Sequence, residues 1–180
     1  GCIPSKSLLK NAEVAHTLRH RGDDFGFSFD NLQLDYSVAV KRSRQVAQRL
    51  TKGVAFLMKK NDTDVYMGSA RLTSNSSVEV SGSDGTVRTL TARNIVVATG
   101  SHAAAPAALS PNGDNVLTYR EAIIQNHLPS SVLIVGGGAI GVEFATIWNS
   151  YGSQVTIVEM LPRILPLEDK QVSTELTQAF

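Results

Sequence analysis

The stretch SVLIVGGGAIGVEFATIWNSYGSQVTIVE, residues Ser131–Glu159, decides the fold. It opens with a continuous apolar run that closes on three glycines, which reads as a buried strand entering a turn. Residues 142–152 then read as a helix ending at a glycine, and QVTIVE as a second strand. Strand, turn, helix and strand make a βαβ unit, the building block of a parallel sheet. Gly136, Gly138 and Gly141 form G-x-G-x-x-G at the junction of strand and helix. Glycines there permit a tight turn and let a pyrophosphate approach the positive end of the helix. Alone, that triplet is weak evidence. Glu159, however, ends the second strand 23 positions after Gly136, close to the roughly 20 expected of the acid that hydrogen-bonds an adenosine ribose. A glycine turn that binds nothing is the plain alternative, and the agreement of strand, glycines, helix and acid decides against it. The dinucleotide-contacting residues are therefore Gly136, Gly137, Gly138, Ala139, Ile140, Gly141, Val142, Glu143 and Glu159. A carboxylate at Glu159 repels a 2′-phosphate, which favours NAD over NADP.

Working outward, a short helix is expected around Arg120–Asn126, after a loop with Pro106, Pro111 and Gly113 that marks the best domain boundary. Before it, NIVVATGS (94–101) reads as another buried strand. From Asp64 the pattern changes to DVYMGSARL, SVEVSG and TVRTLTA, punctuated by Ser83-Asp84-Gly85, which reads as a small antiparallel insertion over about 64–92. Residues 4–20 read as an amphipathic helix with Leu8, Leu9, Ala12, Ala15 and Leu18 at helical spacing. A second helix runs from an Asp35 cap to about Lys60, with Val38, Val46, Leu50, Val54 and Leu57 facing inward. Its cations Lys41, Arg42, Arg44, Arg49 and Lys52 read as a solvated face, because no aromatic residues interleave with them as a nucleic-acid surface requires. Beyond Glu159, EDKQVSTELTQAF reads as a further helix.

The formal net charge is +1 and 42% of residues are hydrophobic, the profile of a globular protein rather than a disordered, nucleic-acid-coating or membrane chain. The longest apolar runs are broken by glycines and fall short of the roughly 20 residues of a bilayer span. No basic-then-apolar leader is visible, and Cys2 is the single cysteine, so the expected compartment is reducing: cytoplasm, or an organelle matrix in a eukaryote. His16 and His20 stand at i, i+4 without a third ligand, so no metal site is expected.

Cys2 sits at the start of the first helix, in GCIPSKSLLK. Thiols at helix N-termini with a cation nearby are favoured as thiolates, and Lys6 one turn on is such a cation; a buried inert cysteine is the alternative that local physics leaves open. GCIPSK, however, is similar to the second half of C-x-N-x-G-C-I-P-S-K, the redox-active disulfide motif of the dihydrolipoamide dehydrogenase family, the flavin-containing component of 2-oxo acid dehydrogenase complexes. IVVATGS, GGGAIGVEFA and IVEMLPRILP follow in that family's order, so the resemblance covers essentially the whole chain.

The resemblance implies FAD and NAD as cofactors. It implies Cys2 as the flavin-facing sulfur, Lys6 near the flavin N5 edge and Glu143 as the ion-pair partner of Lys6. Thr99, Gly100 and Ser101 would contact FAD, and Ala70 would back its adenine. Ala139 replaces a tyrosine found in some relatives and suggests an open nicotinamide pocket. The implied reaction is oxidation of dihydrolipoamide, carried on an E2 or H-protein lipoyl domain, with reduction of NAD, by a homodimer. The implied architecture is α/β: three-layer Rossmann-type FAD- and NAD-binding domains with a small antiparallel insertion, both incomplete. Residues 1–110 would be a partial FAD-binding domain lacking its N-terminal strand, glycine loop and the motif's first cysteine. Residues 111–180 would be the first part of the NAD-binding domain, and the interface domain with its acid-base histidine is expected to lie outside the chain. His16, His20, His102 and His127 are thus not candidates for that role, and such a fragment is expected neither to fold stably nor to turn over alone. Mercuric and glutathione reductases resemble the chain less, since they use NADPH, typically lack an acid at the position of Glu159 and more often carry valine at that of Ile3. A nucleotide-binding or docking module without redox turnover is the alternative of a different class.

Overall fold

A computed structural model of the chain describes residues 1–180, the side chain of Ala107 excepted. In chain order the elements are α1 (Cys2–His20), α2 (Tyr36–Lys60), β1 (Ser69–Ser74), β2 (Ser77–Ser81), β3 (Val87–Thr91), α3 (Tyr119–Ala122), β4 (Ser131–Val135), α4 (Ala139–Tyr151), β5 (Gln154–Val158) and α5 (Lys170–Ala179). They form two compact units, residues 1–49 with 105–180, and residues 50–104.

The first unit is built on the predicted βαβ segment. β4 and β5 pair in parallel, in register from Ser131↔Gln154 to Val135↔Val158, and a parallel pair requires a crossover, which α4 provides. α4 stops at Gly152, whose φ of +112° is left-handed and whose N–H donates to the carbonyls of Trp148 and Asn149, the usual glycine stop. Val132, Ile134 and Val155 pack against the core, whereas Leu133, Val135 and Val158 on the opposite sheet face are exposed.

α1 packs on α4, and the core is made there: Leu8 and Ala12 meet Phe144, Ile147 and Trp148, with Leu8 and Ile147 fully buried. α2 joins this core through Tyr36, Ala39 and Val40. The Trp148 indole N–H donates to the Tyr36 hydroxyl at 3.2 Å, and the Tyr36 ring stands edge-on to Tyr151 at 5.3 Å. That anchor corrects the expected face of α2. Tyr36, Ala39, Val40 and Ser43 are buried at i, i+3, i+4 and i+7, while Val38, Leu50, Val54 and Leu57 are exposed. Once Tyr36 is fixed against Trp148, helical periodicity turns Val38 outward. Arg42 is likewise no mere solvated cation, since it donates to Ser7 Oγ and Asn11 Oδ1 on α1, each at 3.0 Å.

In the second unit β1, β2 and β3 form an antiparallel sheet in sequence order. Its β2–β3 turn is tied by the Asp84 carboxylate, which accepts from the Thr86 amide and hydroxyl at 3.0 and 2.7 Å. The predicted buried strand at 94–101 does not form: this stretch pairs with no strand, and Val96 and Val97 are 86% and 68% exposed. An apolar strand of this kind is buried between parallel neighbours, and the described residues put none beside it. The helix expected at 120–126 is the single turn of α3, closed by a capping box between Thr118 and Glu121. Among the described residues no helix is long and apolar enough to cross a membrane.

Leu8→Ala empties a fully buried site in the α1–α4 contact and should lower the unfolding free energy of the intact protein by about 2–5 kcal/mol. Denaturant unfolding measures this, and a cost close to zero would show that the core is not centred on this helix pair.

Candidate functional site

The glycine turn is shaped by one close approach. A Cβ on Gly141 would lie 2.0 Å from the Gly136 carbonyl oxygen, so strand end and helix start can meet this closely only without a side chain. Gly136 itself has φ +114° and donates to the Val158 carbonyl at 2.8 Å. Gly138 caps α4, and the first bond into the helix body runs from the Val142 amide to the Gly138 carbonyl at 3.1 Å. The amides before it have no partner within the helix, which leaves a positive end. A Cβ on Gly138 would meet nothing within 4 Å, so that end faces open space.

Glu159 closes the turn from the side. Its Oε2 accepts from the Gly137 amide at 2.7 Å and its Oε1 from the Leu161 amide at 2.9 Å. The Leu161 bond first, then the Gly137 bond, holds the carboxyl below the ordinary carboxylate range. Because the folded value is depressed, what this anion contributes is present above the ordinary range and lost as the pH falls through the lowered one. Donors at an open helix end, room above Gly138 and a fixed carboxylate beside the turn fit a dinucleotide with a pyrophosphate and a ribose diol.

α1 brings a second set of groups to the same end. Lys6 Nζ is ion-paired with Glu143 Oε1, while Arg19 donates to the Ser150 carbonyl at 3.2 Å near the far ends of both helices. The two ties make α1 and α4 parallel, so the helix start bearing Cys2 and the start at Gly138 lie at one end of the pair. Cys2 is exposed with a free thiol. The hydrogen bond that Lys6 donates to Glu143 raises the Lys6 pKa, which keeps the ammonium charged well into the alkaline range.

The remaining predicted residues are in the second unit. Ala70 pairs with Val80 across β1 and β2, and Thr99, Gly100 and Ser101 are exposed and lie in no helix or strand, with φ +85° at Gly100. Of the residues expected on the flavin side, the Lys6–Glu143 pair is assembled in the first unit, while the 99–101 segment of the second unit is exposed. His16 and His20 place their rings 4.7 Å apart, and among the described residues no group of three or more His, Cys, Asp or Glu is arranged to hold a metal.

Sequence reasoning placed IVEMLPRILP among the family's ordered motifs but singled out no residue after Glu159. The segment after β5 reaches the turn through Leu165, whose amide donates to the Gly137 carbonyl at 2.7 Å. An open cleft of ≈ 460 Å³ lies between this segment and α5, lined by Glu159, Leu161, Arg163, Ser173 and Thr177 among others. No spacing rule marks such backbone contacts.

The family profile described as pyridine nucleotide-disulphide oxidoreductase matches residues 1–180. Proteins named dihydrolipoyl dehydrogenase from Chlorobaculum tepidum and Mycobacterium leprae are 48% and 45% identical to the chain over its whole length. The matches cover 38% and 39% of those proteins, so the chain spans well under half of the curated relatives it resembles. Among solved structures, LpdA from Mycobacterium tuberculosis covers the whole chain and 39% of its own, with TM-score 0.88 at 24% identity, a likeness of fold. The HOCl-induced flavoprotein disulfide reductase from Escherichia coli covers 99% of the chain and 37% of its own, with TM-score 0.75 at 27% identity.

Gly141→Ala and Gly138→Ala should behave differently. The first forces a Cβ against the Gly136 carbonyl and should lower the melting temperature of the intact protein, since strain of this kind costs about 1–3 kcal/mol. The second meets open space at a φ of −75° and should leave stability within about 0.5 kcal/mol. Equal melting temperatures for the two variants would contradict the close approach.

Proposed function

The chain belongs to the pyridine nucleotide-disulphide oxidoreductase family, and on that premise we propose that the protein is an NAD-dependent dihydrolipoamide dehydrogenase. The net reaction converts dihydrolipoamide and NAD⁺ to lipoamide, NADH and a proton. Two thiols become a disulfide, and their two electrons leave on the nicotinamide. The high identity to relatives of that name across the entire chain supports this choice of substrate. The dihydrolipoamide is presented on the lipoyl domain of an E2 or H-protein partner, and the working protein is a homodimer of the cytoplasm, or of an organelle matrix in a eukaryote. Residues 1–110 belong to its FAD-binding part and 111–180 to its NAD-binding part.

The observation that carries the reading is the Lys6–Glu143 ion pair. It joins the helix of the cysteine motif to the helix of the dinucleotide turn, two motifs that are 137 residues apart when counted between its members. Thiol chemistry and dinucleotide binding at one end of a helix pair is what this reaction needs. Cys2 is one sulfur of the redox pair, which accepts electrons from dihydrolipoamide by thiol–disulfide exchange. The flavin, when bound, supplies the two-electron relay between sulfur and nicotinamide. Lys6 holds a positive charge where reduction builds a negative one, and Glu143 limits where that charge can move. Gly136–Gly141 and the α4 amides hold the pyrophosphate, Glu159 holds the adenosine ribose, and the small Ala139 leaves the nicotinamide side open. Thr99–Ser101 and Ala70 belong to the FAD side.

A second reading, a related flavoprotein reductase of another disulfide, draws on the likeness to the Escherichia coli enzyme. Steady-state turnover of the full-length protein decides between them: dihydrolipoamide with NAD⁺ should far outpace glutathione disulfide with NADH or NADPH, and the reverse order would overturn the proposal. In the same protein Lys6→Ala should slow flavin reduction by dihydrolipoamide about ten- to a hundredfold in stopped flow, and an unchanged single-turnover rate would remove Lys6 from the chemistry. Glu159→Ala should raise the KM for NAD⁺ and narrow the preference over NADP⁺ by about tenfold or more, with the ratio of kcat/KM values as the measure.

A further inference from the structure

We propose that Ser173 is a positioning residue for dinucleotide binding: from the buried side of α5 it fixes the Ile164–Leu165 peptide, and that peptide fixes Gly137 in the turn. The proposal rests on the reading of this turn as the NAD site.

α5 carries three hydroxyls, and they do different things. Thr174 and Thr177 donate to carbonyls one turn back in their own helix, those of Lys170 and Ser173. Ser173 instead leaves its helix and donates to the Ile164 carbonyl, from a position with no solvent exposure. The Ile164 carbonyl and the Leu165 amide belong to one peptide group. On its other side that amide donates to the Gly137 carbonyl at 2.7 Å. Gly137 in turn donates its own amide to Glu159 at 2.7 Å. Ser173 and Gly137 are thus joined through the single 164–165 peptide, whose two hydrogen bonds polarise each other, and Gly137 is tied to Glu159 through the amide on its other side.

Three further observations show that the peptide is held rather than resting. Leu165 has φ +48°, a left-handed conformation that a leucine keeps where its surroundings impose it. The Ile164 side chain stands 3.0 Å from where a Gly137 Cβ would be, so it seats directly on the turn. Arg163 closes the segment on itself by donating to the carbonyls of Pro166 and Glu168 at 3.3 and 3.2 Å. The Ile164 carbonyl is the point at which α5 grips this otherwise self-contained loop.

Removing the hydroxyl leaves that carbonyl without its buried donor and releases the peptide. Gly137 and Glu159 then lose their mutual alignment, and the adenosine end of the dinucleotide loses its fixed partner. Nothing on the Cys2 and Lys6 side depends on this chain of bonds, so the thiol half of the reaction stays intact.

The test uses the full-length flavoprotein in its oxidised state, into which NAD⁺ is titrated by calorimetry. Ser173→Ala should raise the NAD⁺ Kd about three- to tenfold, the loss of one hydrogen bond, and raise the KM for NAD⁺ in parallel. The kcat at saturating NAD⁺ and the rate of flavin reduction by dihydrolipoamide should be unchanged. Ser173→Cys, which keeps the shape with a weaker donor, should fall between. Unchanged Kd in a folded Ser173→Ala or Ser173→Cys variant overturns the proposal. So does a loss of kcat together with affinity, or failure of both variants to fold, since each marks Ser173 as a packing residue. If the unsubstituted protein itself does not bind NAD⁺, the reading of the site fails instead, a result distinct from these.

Discussion

The Gly136 carbonyl occupies the place where any side chain at position 141 would have to be, and most of the first unit depends on that contact. It lets α4 leave β4 at once and fold back over the sheet. The direction of α4 follows, and with it the covering of Val132, Ile134 and Val155 and the opening of the helix N-terminus into free space. α1 then lies parallel to α4, which brings the cysteine motif to the glycine turn. A single missing methyl group thus decides where two distant parts of the sequence meet.

Stability and chemistry divide along this helix pair. The buried side, with Leu8, Ala12, Ile147 and Trp148, has no charged member and provides the cohesion. The polar end adds little to it, because the Lys6 side chain is 64% exposed and water screens an ion pair there. The Lys6–Glu143 pair is therefore better understood as a fixed position than as a stabilising contact. The core sets the spacing and rotation of the helices, and the pair uses that rigidity to hold a charge in place.

What could be read from the sequence was whatever is set by residues near in the chain. The βαβ segment, the glycine spacing, the position of Glu159 and the antiparallel insertion all rest on local periodicity or turn chemistry. The errors arose where a distant partner decides. α2 is rotated by the contact of Tyr36 with Trp148, 112 positions away, so its strongest apolar stripe is not its buried one. NIVVATGS has the composition of a central strand, but burial belongs to the sheet around a strand and not to the strand itself. The grip of Ser173 on the segment after β5 could not have been found from residue types, because it passes through peptide groups that every residue carries.

The same limit explains why Glu159 was recognisable and its fixation was not. A carboxylate offers about four lone-pair positions, and here two backbone amides, those of Gly137 and Leu161, take two of them. The Met160 amide adds a smaller contribution, and in the proposed function the lone-pair capacity that remains accepts from a ribose diol. A 2′-phosphate would replace one donor with negative charge, against a carboxyl already held as an anion by its amides. Selectivity of this kind needs the carboxylate both charged and unable to turn away. The acid alone provides the charge, and the Gly137 and Leu161 amides provide the orientation. Gly137 is held in turn by the 164–165 peptide, so under the proposed function the choice between the two dinucleotides rests on backbone groups of the glycine turn and of the segment after β5 acting on one side chain.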